Sequence, residues 1–298
     1  MRKFIILPLL FLFFAGCENS PYVNVVSSDA VNHKITVVTT LFPVYDFAKN
    51  IGGKMSDAIL LIPPGTEPHE YEPTSYDVVN INRADVFAYT GDFMEKWVSG
   101  ILDSVTNKNL EIVDTSKGTE IVNGDPHIWL DFAHDKIMAK NIADAIIKKD
   151  PSHKDYYEKN LQDLFAKIDA VDDAYSKTIS SCKTKEIIYG GHYAFGYLTR
   201  RFGLTYDAAQ GLSPDSEPNA KDLIELTNQI KRDDIKYIFY EELASPKVAE
   251  TISKETGVQM LLLNNLESLP KEDMQNGKTF IDEMYKNLGN IKIGLDCK

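Results

Sequence analysis

The chain has 298 residues, and since single apolar cores stop growing near ~250 residues, two lobes are expected. With 43% hydrophobic, 10% aromatic and 26% charged residues it carries enough apolar side chain to fold, which excludes disorder over most of its length. Its 32 basic and 44 acidic residues leave a net charge of −12, which repels a phosphate backbone, so no nucleic-acid partner is expected.

Arg2 and Lys3 precede an apolar run over residues 4–14, broken by Pro8 and closed by Ala15, Gly16 and Cys17. Residues 1–16 therefore read as a secretory signal, shorter than the ~20 residues of a permanent membrane helix. The Ala15-Gly16-Cys17 end resembles a bacterial lipobox, so Cys17 is expected to carry the lipid that anchors the protein outside the cytoplasm. A soluble secreted protein is the plainer alternative. Residues 17–32 then form a lipidated, polar tether. An oxidising compartment permits a disulfide between Cys182 and Cys297, with two buried thiols as the alternative.

From Lys34 onward, short β-branched runs alternate with helical patterns, which predicts parallel sheets covered by helices. Strands are predicted at 35–41, 58–62, 85–89 and 110–113, with helices at 44–51, 75–82, 93–103 and 135–149. Pro151 ends the last of these, and Ser152 is the expected N-cap of the next helix. Leu161, Leu164, Phe165, Ile168, Tyr175 and Ile179 recur at helical spacing, with Asp172 as a polar intruder, and predict one long helix over 152–180. The second half repeats the alternation, with strands at 186–189, 204–208, 237–240 and 258–263 and helices at 194–202, 220–231, 247–256 and 278–288. The expected fold is α/β. Two βα lobes, each with a four-stranded, mostly parallel sheet, occupy 33–150 and 182–298, joined by one backbone helix over 151–181, with a cleft between them.

Three of the six histidines stand in loops beyond predicted strand ends: His69 among Pro63, Pro64, Pro68 and Pro73, His127 in Asp125-Pro126-His127, and His192 after Gly190-Gly191. Ligands of open α/β sheets bind beyond the carboxyl ends of the strands, so these loops can converge on the cleft. Three neutral imidazoles suit a borderline metal such as zinc, and Glu267, after the strand at 258–263, is the expected fourth ligand. Taken singly, each histidine reads as a surface or satisfied core residue; three in strand-end loops favour a metal. His33 and His153 are expected to be solvated, and His134 to start a helix. Three nitrogens and one carboxylate favour Zn²⁺ over Mn²⁺, which prefers more oxygen. Because each imidazole must lose its proton to bind, affinity is expected to fall as pH drops through ~6.5.

Taken with Leu41-Phe42-Pro43-Val44-Tyr45, His192-Tyr193-Ala194-Phe195-Gly196-Tyr197 and Glu241-Glu242-Leu243-Ala244-Ser245-Pro246-Lys247, these segments resemble the zinc and manganese solute-binding proteins of bacterial ABC transporters. The resemblance runs from about Lys34 to the C-terminus. It implies two βα lobes linked by a long helix, with the metal in the cleft and His69, His127, His192 and Glu267 in the ligand positions. Gly91, Glu95 and Trp97 match a segment taken as structural, and Glu217 offers a reserve carboxylate. The His-rich insertion of many zinc members is missing, since only residues 116–124 intervene. The implied role is an extracytoplasmic, lipid-anchored monomer that carries Zn²⁺ to a membrane permease and its ATPase, with no catalytic residues. Manganese binding in the same transport class and a metal-dependent surface adhesin are the alternatives. A zinc hydrolase ranks lower, because Pro73 stands where a His-Glu-x-x-His motif starting at His69 needs its second imidazole. Trp129 and the tyrosines around His192 are expected to pack the cleft walls.

Overall fold

β-Branched and aromatic runs pair into two sheets of four short parallel strands. The structure, a computed structural model, describes residues 34–216, 218–241 and 243–298. Cys17, the tether, His33 and the reserve carboxylate Glu217 lie outside the described residues. The first half reads β1 (Ile35–Thr39), α1 (Phe42–Gly52), β2 (Ser56–Leu60), α2 (Ser75–Arg83), β3 (Val86–Tyr89), α3 (Val98–Leu102), β4 (Glu111–Asp114) and α4 (Phe132–Lys149). After α5 (Lys154–Ser180) come β5 (Glu186–Tyr189), α6 (Gly196–Phe202), β6 (Thr205–Ala208), α7 (Ala220–Arg232), β7 (Tyr237–Tyr240), α8 (Lys247–Thr256), β8 (Gln259–Leu262), α9 (Lys271–Gln275) and α10 (Phe280–Gly294).

The strand orders are β2-β1-β3-β4 and β6-β5-β7-β8, so the same winding occurs twice. All pairings are parallel, with Val37 opposite Val86 in the first sheet and Tyr189 opposite Phe239 in the second. Such sheets need cover on both faces, and the chain supplies helices between strands. The expected α/β architecture with its long helix is therefore the observed one.

Three local expectations change. The helix expected over 93–103 shrinks to α3, because the buried Glu95 carboxylate accepts from the Thr90 and Gly91 N–H groups at 3.0 Å and from the Thr40 hydroxyl. Those bonds fold residues 91–97 into turns, which gives the Gly91-to-Trp97 segment its structural role. Ser152 does not cap the long helix. Pro151–His153 forms a 3-10 turn, the Ser152 hydroxyl turns back to Asp150, and α5 starts at Lys154. His153 is paired rather than merely solvated, its Nδ1 lying 2.6 Å from an Asp150 oxygen.

Helix α5 has 27 residues, a rod of about 40 Å. It buries Tyr157, Leu161, Leu164, Ile168, Val171, Tyr175 and Ile179 along one stripe. The main apolar core runs along this stripe and takes side chains from both sheets, while a smaller cluster around Ile188, Leu226, Ile230 and Ile238 fills the space under α7 and α8. Helix α10 packs on α5 and α1, setting Phe280 against Phe47 with ring centroids 5.1 Å apart. The Tyr175 hydroxyl donates to the Met284 carbonyl at 2.7 Å. Cys182 and Cys297 form a disulfide that ties the end of the chain to the exit of α5.

Candidate metal centre

Each residue expected at the metal site follows a strand. His69 lies in the loop after β2, His127 follows β4, His192 follows β5 and Glu267 follows β8. Parallel strands direct all four loops to the same end of their sheets. His69 Nε2, His127 Nε2, His192 Nε2 and a Glu267 oxygen all lie within 4.8 Å of one another. His127 Nε2 stands 3.3 Å from His69 Nε2 and 3.1 Å from His192 Nε2. Glu267 Oε1 lies 3.3 Å from His69 Nε2, 2.9 Å from His127 Nε2 and 3.1 Å from His192 Nε2. Five of the six separations are 2.9–3.3 Å, and a tetrahedron with edges of that length has its centre about 1.8–2.0 Å from each corner, near the ~2.0–2.1 Å of zinc–ligand bonds. His127 and His192 are fully buried and Glu267 is 3% exposed, whereas the His69 side chain keeps 10% exposure.

Local bonding explains why these loops hold their shape. The His69 N–H donates to Glu67 at 2.9 Å, and the segment ends in a capping box, Thr74 with Asp77, at the start of α2. The Glu267 turn carries an unusual backbone: Leu266 has φ +63°, a left-handed conformation costly for a residue with a branched side chain. Asn264 Oδ1 holds that turn by accepting the Leu266 N–H at 2.8 Å, and Asn287 brackets Asn264 through both of its main-chain groups. Trp129 is fully buried, and its indole N–H donates to the Asn265 carbonyl at 2.7 Å, so it both packs the wall and links the His127 loop to the Glu267 loop. Tyr193, next to His192 in the chain, packs on Tyr206 with ring centroids 4.7 Å apart and planes tilted by 45°. His134, in the first turn of α4, is buried against Tyr197 and stands outside the metal-ligand group.

Two carboxylates that sequence reasoning did not assign complete the centre. Asp125 Oδ1 lies 2.6 Å from His127 Nδ1, and Glu241 Oε2 lies 3.0 Å from His192 Nδ1. Glu241 immediately follows β7, whose neighbours in the sheet are β5 and β8. A signal for Asp125 existed, since a ligating histidine gives its second ring nitrogen to a carboxylate and Asp125 stands two residues before His127.

In the absence of metal the charges divide sharply. Burial disfavours charge on Glu267, yet the facing His192, His127 and His69 rings hold its carboxyl well below the usual range. Burial also works against a charged His192, but Glu267 and Glu241 outweigh it and push the ring up to about 11. His127 is raised in the same way, burial being overcome by Asp125 and Glu267. Glu67, at the rim, is pushed up to about 7 by burial and by the charge of Glu267. The group of His69, His127, His192 and Glu267 is one that could hold a metal ion.

Residues 37–294 match the family of the zinc-uptake complex component A, periplasmic (ZnuA). The high-affinity zinc uptake system protein ZnuA of Bacillus subtilis (strain 168) is 39% identical over 307 residues, spanning 97% of this chain and 95% of that protein. The crystal structure of the Zn(II)-bound ZnuA-like domain of Streptococcus pneumoniae AdcA superposes with a TM-score of 0.79 at 40% identity, covering 89% of this chain and 100% of that one. The laminin-binding protein Lmb of Streptococcus agalactiae, described as having adhesin and metal transporting activity, gives a TM-score of 0.81 at 30% identity, covering 88% of this chain and 100% of that one. With nearly all of the described fold inside the match and a relative covered almost end to end, the chain belongs to the ZnuA family of zinc-uptake components.

Proposed function

We propose that this protein captures Zn²⁺ with His69, His127, His192 and Glu267 and delivers it to a membrane permease driven by an ATPase. The observation that carries the reading is the meeting of three imidazole Nε2 atoms and one carboxylate oxygen, all within 4.8 Å of one another and at 2.9–3.3 Å in five of their six pairs. Four protein ligands close a tetrahedral coordination sphere, and a closed sphere suits holding, whereas zinc hydrolysis needs an open position. The donor set also disfavours Mn²⁺, which prefers oxygen and a higher coordination number. Export by the signal at residues 1–16 and lipid attachment at Cys17 would keep the carrier at the outer face of the membrane, and a single copy of the chain supplies the whole site.

The direct test is zinc titration of the metal-stripped protein against a competing chelator, followed by the same titration of His192→Ala. One zinc per chain is expected, and loss of one of four ligands should weaken it by at least the ~10–100-fold that an outer hydrogen-bonding partner of a ligand is worth. A variant that binds zinc as tightly as the parent would remove His192 from the ligand set. The laminin-binding neighbour motivates a second reading as an adhesin. Deleting the gene should impair growth in zinc-poor medium, with recovery on added zinc, if transport is the role; unimpaired growth with lost surface binding would favour adhesion.

A further inference from the structure

We infer that Asp125 and Glu241 are positioning residues that preset His127 and His192 to present Nε2 to the metal, an inference that rests on the zinc-binding reading above. A carboxylate only accepts hydrogen bonds, so the ring nitrogen beside it must carry the proton. With Nδ1–H of His127 donating to Asp125 at 2.6 Å and Nδ1–H of His192 donating to Glu241 at 3.0 Å, the nitrogen left to give up its proton and offer a lone pair to the metal is Nε2, the atom aimed at the centre. Both carboxylates are themselves fixed. Asp125 Oδ1 also accepts the His127 N–H at 3.0 Å, and Glu241 Oε1 accepts from Asn265 Nδ2 at 2.9 Å. Asn265 Oδ1 in turn accepts the Glu267 N–H at 3.3 Å, so one chain of bonds orients His192 and the Glu267 backbone together.

The glycines on either side of His192 make room for this arrangement. A Cβ on Gly191 would stand 2.7 Å from Glu241 Oε2, and one on Gly196 would stand 2.7 Å from Asp125 Oδ2. Any side chain there must displace that carboxylate or the tyrosine ring beside it, Tyr189 at 2.7 Å from the Gly191 position and Tyr193 at 2.8 Å from the Gly196 position. Gly191 and Gly196 therefore belong to the same device, although neither approaches the metal centre with a side chain of its own. His69 differs: its described contacts run through Nε2 and its main-chain N–H, and it is the most exposed of the four residues. Two rings are preset by carboxylates, and the third closes the site from the rim.

The test compares the full chain with Asp125→Ala, Glu241→Ala, Gly191→Ala, Gly196→Ala and the milder Asp125→Asn and Glu241→Gln, all loaded with Zn²⁺. Outer carboxylates of this kind are worth about 10–100-fold in metal affinity. Each alanine variant is expected to lose about that factor. Asp125→Asn, which keeps an acceptor for the ring, should recover part of the loss, and Gly196→Ala and Gly191→Ala, which crowd Asp125 and Glu241, should lower affinity in the same direction. ¹H–¹⁵N correlation of ¹⁵N-histidine in the zinc-loaded proteins gives the second readout: wild type should show Nδ1–H protons at His127 and His192 that exchange slowly with solvent, and the matching alanine variant should lose that protection. A purely structural role would lower the melting temperature without altering Nδ1–H exchange at zinc saturation. Zinc affinity within twofold of wild type, with unchanged Nδ1–H exchange, would overturn the positioning role. If wild type itself bound zinc without these rings, the ligand set would be wrong, which is a separate and distinguishable failure.

Discussion

His192 shows how much a ring in this centre differs from a free imidazole. Facing Glu267 and Glu241, it stays protonated up to about pH 11 in the metal-free protein despite its burial, and His127 is raised as well. The zinc-loaded form must hold both Nε2 atoms bare. The metal-free form therefore binds more protons, and lowering the pH favours it at the expense of zinc. The expectation of a loss confined to pH below ~6.5 used an isolated imidazole as its reference. The facing carboxylates move the window upward, toward the His192 value of about 11, so affinity should still be climbing with pH well above the free-imidazole range. Calorimetry in two buffers of different ionisation enthalpy should register about one or more protons released per zinc at pH 7.5; release of none would contradict the raised ring values. The four meeting side chains were legible in the sequence because each stands in a loop after a strand. Glu241 was not, since its proximity to His192 depends on β7 lying beside β5, a neighbour relation that no spacing along the chain records.

Among the elements, α5 was legible from its apolar stripe, and its one anomaly now has a partner. Asp172 accepts a two-pronged contact from Arg201 of α6, whose third nitrogen donates to Asp131 at 2.9 Å. Asp131 caps α4 by accepting the Ala133 N–H at 2.8 Å. One guanidinium thus joins α5, α6 and the start of α4, four residues beyond His127. All three groups are partly buried, with 12–26% side-chain exposure, so the network exceeds an ordinary surface pair. Arg201→Ala should cost about 1–2 kcal/mol of unfolding free energy in denaturant titration, because it strands two carboxylates; a loss below about 0.5 kcal/mol would place the network among weak surface pairs. Element ends were less legible. The five-residue α9 is too short to show a helical period, and α3 lost its predicted first turns to the Glu95 side chain, which bonds backbone that the sequence assigns to a loop.

At the scale of the molecule, residues 34–298 form one compact unit whose main core takes side chains from both sheets, α5 and α10. We propose that the lobes at 33–150 and 182–298 move little against each other, since α10 returns from the second sheet to pack on α1. The Cys182–Cys297 disulfide closes a separation of 115 residues, and removing it by Cys182→Ser with Cys297→Ser should cost about 2–4 kcal/mol. An unchanged denaturation midpoint in the zinc-free protein would show that the bond adds no stability. The repeated strand order was legible as a repeated alternation of strands and helices, while the return of α10 was not, because its pairing with α1 spans more than two hundred residues. The central claim is that residues from both halves grip one zinc ion, and anomalous diffraction at the zinc edge from crystals of the loaded protein tests it most directly. One peak about 2.0–2.1 Å from Nε2 of His69, His127 and His192, and from a Glu267 oxygen, is the expected result. A peak elsewhere, or one at this place lacking any of the three rings, would contradict it.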